Sequence, residues 1–176
     1  MNLPRRNVRG GTRGYAHLVE LEVPAPVVWR ALTDPAVVRI WSGQEVEIDA
    51  RQGGSYRIGK TNAGAREALI DIFDVNRRLR LIYMDSKHWP PSDSAAVDDF
   101  ILDSKRGDCR TSLRLLGSGI SDSADWDTPY ARVRLGWERS LARIKSMLEA
   151  PPAPPKPVPK PAKVEPKDPP LPGLDY

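Results

Sequence analysis

The sequence predicts an α+β domain in which a long C-terminal helix lies against an antiparallel sheet, followed by a disordered proline-rich tail. Three observations predict it. From Tyr130 onward, Val133, Trp137, Leu141, Ile144 and Leu148 recur at helical spacing and form one apolar stripe. Between residues 15 and 115, short segments alternate apolar and polar positions and are joined by brief turn-rich connections, the pattern of antiparallel neighbours. After Ala150 the composition changes abruptly: eleven of the last 26 residues are proline, too few of the rest being apolar to build a core.

The elements follow in chain order. Tyr15, His17, Val19, Leu21 and Val23 share one strand face, with Glu20 and Glu22 on the other. Val23-Pro24-Ala25-Pro26 stops the ladder, because proline has no N–H to give it, and starts a short helix. Asp34-Pro35 repeats the signal, an acidic cap before a proline, for a second helix to about Trp41. Val46 and Ile48, then Tyr56 and Ile58, flank a turn at Gly53-Gly54. A loop over 59–66 precedes the apolar face Ala68, Ile70 and Ile72, with Glu67, Asp71 and Phe73 opposite. Leu79, Leu81 and Tyr83 form the next face, and Phe100 and Leu102 the one after. A turn at Arg106-Gly107-Asp108 leads to Thr111, Leu113 and Leu115. Thr128 and Pro129 read as cap and first residue of the final helix, and Pro151-Pro152 ends it.

Charge and composition exclude several classes. The chain is +4 overall, and Arg5, Arg6, Arg9 and Arg13 supply as much before residue 15. The tail adds about +1, which leaves residues 15–150 near −1. A near-neutral core argues against a folded nucleic-acid surface. No apolar run approaches the ~20 residues of a membrane span, and the basic start lacks the apolar stretch of a secretory signal. A cytoplasmic location is expected, and the single Cys109 fits a reducing compartment. No phosphate-binding glycine loop occurs, and His17, His88 and Cys109 are too few for a structural zinc site, so no cofactor or metal is expected. The expected organisation is a disordered basic arm over 1–13, a domain over 14–150, and a disordered Pro/Lys-rich tail over 151–176. Within the tail, Pro154-Pro155-Lys156-Pro157 offers a minimal motif for a protein partner with an aromatic groove.

The run Val23-Pro24-Ala25-Pro26-Val27-Val28-Trp29-Arg30-Ala31-Leu32-Thr33-Asp34-Pro35, then Trp41, then Gly53-Gly54-Ser55-Tyr56-Arg57, resembles the opening of START-like (SRPBCC) proteins. More narrowly it resembles the family of the C-terminal domain of the activator of the ninety-kilodalton heat-shock chaperone ATPase. Gly136-Trp137-Glu138-Arg139-Ser140-Leu141, followed by Ile144-Lys145-Ser146-Met147-Leu148, resembles that family's terminal helix. Over 75–79 the proline usual in the family's turn is missing. The resemblance covers about residues 14–149. It implies a helix-grip (START-like, Bet v-like) fold: a curved sheet around the long helix, with two short helices after the first strand. It also implies a helix–sheet cavity, used in many relatives for apolar small molecules, and no shared catalytic signature.

The residues expected near that space are Trp41, Tyr56, Tyr83, Phe100, Trp126, Tyr130 and Trp137, with Ile70 and Ile72 from the sheet. Core packing and the lining of a ligand cavity both suit them. His17 is the candidate polar contact. Asp71, Asp74, Asp98, Asp99 and Asp103 are expected on the solvent face of the sheet. The leading expectation is non-catalytic binding of a small apolar or amphipathic ligand. The alternatives are a protein-interaction or chaperone-regulating module and a cyclase- or dehydratase-like enzyme. With thirteen residues before the first strand, the activator's separate N-terminal domain is not expected, and the chaperone role is expected to transfer poorly.

Overall fold

The computed structural model describes residues 10–60, 64–105 and 109–151. Most of the expected basic arm, the proline-rich tail beyond residue 151 and the turn at Arg106-Gly107-Asp108 lie outside the described residues. Strand β1 (Thr12–Leu21) leads to helices α1 (Ala25–Thr33) and α2 (Pro35–Ser42). Strands β2 (Val46–Ile48), β3 (Ser55–Ile58), β4 (Arg66–Asp74), β5 (Arg78–Tyr83), β6 (Val97–Lys105) and β7 (Arg110–Ser121) follow, and helix α3 (Asp127–Leu148) closes the fold. All seven strands join one curved antiparallel sheet in the order β1-β7-β6-β5-β4-β3-β2. This is the helix-grip architecture.

Local chemistry sets the boundaries. Asp34 caps α2 by accepting the Ala36 N–H at 3.0 Å, Pro35 occupies the first turn, and Gly43 ends the helix at φ 65°. Pro24 stands at the N-cap of α1 and Ala25 is its first residue, one position before the start the sequence suggested. Strand β1 also begins earlier than expected, because Thr12 and Arg13 pair with Ser121 and Ile120. Thr128 does not cap α3: a single 3-10 turn, Ala124–Trp126, runs straight into the helix and places Thr128 inside it.

Val133, Leu141 and Ile144 bury the stripe of α3 against a core that includes Phe100, Leu79, Leu81, Leu113 and Leu115. One strand face departs from simple alternation. A register shift between Ile70 and Ile72 moves Phe73, not Ile72, onto the core side, opposite Leu79. Phe73 there meets Trp29 edge to face at 5.0 Å. The extra residue of the bulge inverts the facing of everything after it.

Asp98 is the second departure. It is 1% exposed, on the same face of β6 as Phe100 and Leu102, and so points into the helix–sheet space instead of to solvent. Asp71, Asp74 and Asp103 remain outside, and Asp99 faces Arg78 and Arg80.

Candidate functional site

The site is built around the Asp98 carboxylate. Its Oδ1 accepts the Tyr15 hydroxyl, and its Oδ2 accepts the Tyr83 hydroxyl at 2.7 Å and the Trp137 indole N–H at 2.8 Å. The donors come from β1, β5 and α3, so one buried acid ties the helix to the sheet. Three donors of this kind are what a carboxylate needs to be tolerated away from water. The geometry depends on a missing side chain. Gly117 on β7 pairs with both Tyr15 and Asp98, and the Tyr15 ring crosses it to reach the acid. A Cβ at Gly117 would stand 2.2 Å from that ring.

The tyrosines are locked in their neutral form. Burial pushes the Tyr15 hydroxyl far above its ordinary range, with the Asp98 charge and hydrogen bond adding to the effect. Tyr83 is raised by burial and by Asp98 in the same way. Tyr56 is raised chiefly by burial, and its hydroxyl donates to the Leu32 carbonyl at 3.0 Å.

Above this network lies an open cleft of about 340 Å³ between α3, the end of α2, and the strand edge where β3 ends and β4 begins. Trp41, Tyr56, Tyr83, Trp89 and Trp137 wall it. Trp41 is fixed by its N–H to the Ala31 carbonyl at 2.7 Å, and Trp89 by its N–H to the Gly64 carbonyl at 3.2 Å. Trp137 meets Phe100 edge to face at 5.1 Å and lies 6.4 Å from Trp41. The guanidinium of Arg66 sits 3.5 Å above the Tyr83 ring and 5.3 Å from that of Trp89. From α3, the stripe Arg132, Gly136, Ser140 and Arg143 edges the cleft beside the buried apolar stripe. A Cβ at Gly136 would meet nothing within 4 Å, so this glycine opens space without any steric demand for it.

The family model of the activator of Hsp90 ATPase homolog 1-like proteins matches residues 22–149. The chain belongs to this family. Solved structures agree on the fold of this activator-like domain. A Mesorhizobium loti protein superposes with a TM-score of 0.66 at 21% identity, covering 77% of this chain and 96% of that one. An HSP90 activator from Plasmodium falciparum gives 0.64 at 18% identity, over 76% and 94% of the two chains. The Aha1 dimer from Colwellia psychrerythraea gives 0.67 at 17% identity, over 78% and 97%. At these identities the likeness shows the fold alone. No curated protein matches the sequence.

Of the residues expected at the site of this activator-like domain, Trp41, Tyr56, Tyr83 and Trp137 come together in the cleft wall. Ile70 and Phe100 are fully buried beneath it as core. Ile72 is turned away by the β4 bulge. Trp126 stacks on Trp89 at 6.1 Å behind the wall and donates to the Pro91 carbonyl. Tyr130 lies near the β1 edge, donating to the Gly14 carbonyl at 2.9 Å under the Arg13 guanidinium. His17 is outside the cleft lining; its ring stands 5.7 Å from that of Tyr15, and its Nε2 is buried without a hydrogen-bond partner.

Sequence reasoning missed Asp98, Arg66, Trp89 and the Arg132–Ser140 side of α3. For Asp98 a signal existed, its even-numbered parity with Phe100 and Leu102. Among the described residues, no group of three or more His, Cys, Asp or Glu could hold a metal ion, and no helix is long and apolar enough to cross a membrane.

Proposed function

We propose that this domain binds a small apolar or amphipathic molecule in the α2–α3–sheet cleft and does not transform it. The observation that carries the reading is Gly136. A glycine in mid-helix costs about 1 kcal/mol relative to alanine, and here neither a turn nor a close contact calls for it. It leaves room directly beside Trp137, in a cleft walled by aromatic rings. At about 340 Å³ the space lies at the lower end of the roughly 300–1,000 Å³ of small-molecule sites. Asp98 supports binding over catalysis. Both its oxygens already accept hydrogen bonds from Tyr15, Tyr83 and Trp137, so it holds the wall in shape.

Native mass spectrometry of the chain purified from its own host tests this. A bound molecule released on unfolding and absent from Gly136→Phe is the expected result. Equal masses of ligand on both proteins would refute the cleft as its site.

A second reading, regulation of a chaperone ATPase, is supported by the family match and by the Plasmodium and Colwellia relatives. It expects a changed ATPase rate when the purified chain is added to the Hsp90-type chaperone of its host. An unchanged rate at saturating protein would count against it.

A further inference from the structure

Resting on the cleft-binding reading, we propose that the cleft selects an amphipathic anion: a ligand with an aromatic or apolar body and one oxyanion head. The argument is a local charge imbalance. Arg66, Arg132 and Arg143 line the cleft, and its lining includes no aspartate or glutamate. Among the described residues, none of these three guanidiniums forms an ion pair. The fourth cation, Lys60, is matched by Glu45 at 3.4 Å.

Several arginines elsewhere on the domain are paired, although the exposed Arg39, Arg134 and Arg139, which lie outside the cleft, show no ion pair among the described residues either. Arg78 and Arg80 both reach Asp99, Arg57 reaches Glu47 at 2.6 Å, and Arg30 reaches Asp34 at 3.2 Å. The core as a whole is close to neutral, so the excess at the cleft is a property of the site and not of the domain. The buried acid Asp98 lies behind Tyr83 and Trp137 with its oxygens already engaged by three donors.

The placement also suits recognition. Arg66 sits with its guanidinium carbon 3.5 Å from the Tyr83 ring centre, a contact that restricts the side chain yet leaves N–H donors for an oxyanion. Arg132 and Arg143 stand on the opposite wall, at the two ends of the helical stripe whose middle is Gly136 and Ser140. An apolar body entering beside Gly136 meets indole and phenol faces, while its head reaches one of the cations that rim the cleft. A neutral ligand of the same shape leaves all three without an anion.

Two probes separate head from body: anilinonaphthalene sulfonate and its uncharged parent, phenylnaphthylamine. Each is titrated by fluorescence against the full chain, Arg132→Gln/Arg143→Gln and Gly136→Phe, all confirmed folded by thermal melting. Arg132 and Arg143 are exposed, so their replacement leaves the fold intact. The expected result is that the sulfonate binds about tenfold or more tighter than the parent, on the scale of one or two charge-assisted contacts. The double arginine variant lowers that preference, with Arg66 supplying what remains, and leaves the parent within about twofold; added salt weakens the sulfonate alone. Gly136→Phe abolishes binding of both. Equal affinities that the arginine variant does not change, with both lost in Gly136→Phe, would overturn the anion preference and keep the cleft as a binding site. Binding of both probes unaffected by Gly136→Phe, or by neither protein, would overturn the cleft reading itself.

Discussion

The indole N–H of Trp137, halfway along α3, donates to Oδ2 of Asp98 on β6 at 2.8 Å. This single bond joins helix to sheet through the interior and presents one face of the indole to the cleft. Removing the donor leaves a buried carboxylate short of one partner. Trp137→Phe is therefore expected to destabilise by about 1.5–3 kcal/mol, the range for hydrogen bonds to charged groups. Trp137→Ala, which also empties the volume beside Phe100, should cost about 3–5 kcal/mol. Chemical denaturation measures both. A loss below about 0.5 kcal/mol for Trp137→Phe would show that the bond carries no weight.

Gly117 makes the opposite prediction for a smaller change. Adding one methyl group places a Cβ 2.2 Å from the Tyr15 ring, so the ring must move off Asp98. Overpacking of this kind costs about 1–3 kcal/mol. Gly117→Ala should also let the Tyr15 hydroxyl ionise nearer its ordinary range. An unchanged melting temperature would mean that the ring has space the structure does not show.

Gly136 should respond with the reverse sign. Gly136→Ala meets open space and gains helix propensity, so it should stabilise the free protein by about 0.5–1 kcal/mol. A glycine whose replacement stabilises is one retained for something other than stability. Destabilisation in thermal melts would remove the argument that it serves the cleft.

The α3 stripe and the Asp34-Pro35 cap were legible because they rest on local periodicity and local chemistry. Asp98 was legible in parity, but its residue type pointed outward, since an acid is rarely buried unless paired. Its partners Tyr15, Tyr83 and Trp137 lie on three other elements, a grouping that no local pattern reveals. The inversion of Ile72 and Phe73 rests on a bulge that alternation alone does not announce. The sequence places Arg132 and Arg143 off the apolar stripe of α3, with nothing local to say what they face. Only the packing of α3 against the strand edge turns Arg132 and Arg143 into one wall of a site.

The pH dependence of stability should follow two limbs. Burial works to raise the Asp99 pKa, but the hydrogen bonds and charges of Arg78 and Arg80 outweigh it and hold the carboxyl below its usual range. A depressed folded-state pKa contributes stability that is full above the unfolded value, about 4, and is lost as pH falls through the folded one. Asp99→Asn should therefore be less stable at neutral pH, with the gap closing in acid. Tyr15, Tyr56 and Tyr83 are raised, so their contribution is full below about pH 10 and is lost as pH climbs beyond it. In an absorbance titration these three should stay silent until the fold opens. Ionisation of all the tyrosines in one step near pH 10, with native circular dichroism retained, would contradict the buried network.

The most direct test of the central claim follows the five tryptophan indole N–H signals by NMR during titration with anilinonaphthalene sulfonate. Trp41, Trp89 and Trp137 line the cleft, whereas Trp29, on α1, packs against Phe73 of β4. The account predicts saturable shifts for the first three, a silent Trp29, and no shifts in Gly136→Phe. Shifts at Trp29 with Trp41 and Trp137 unmoved, or the same shifts in Gly136→Phe, would contradict it.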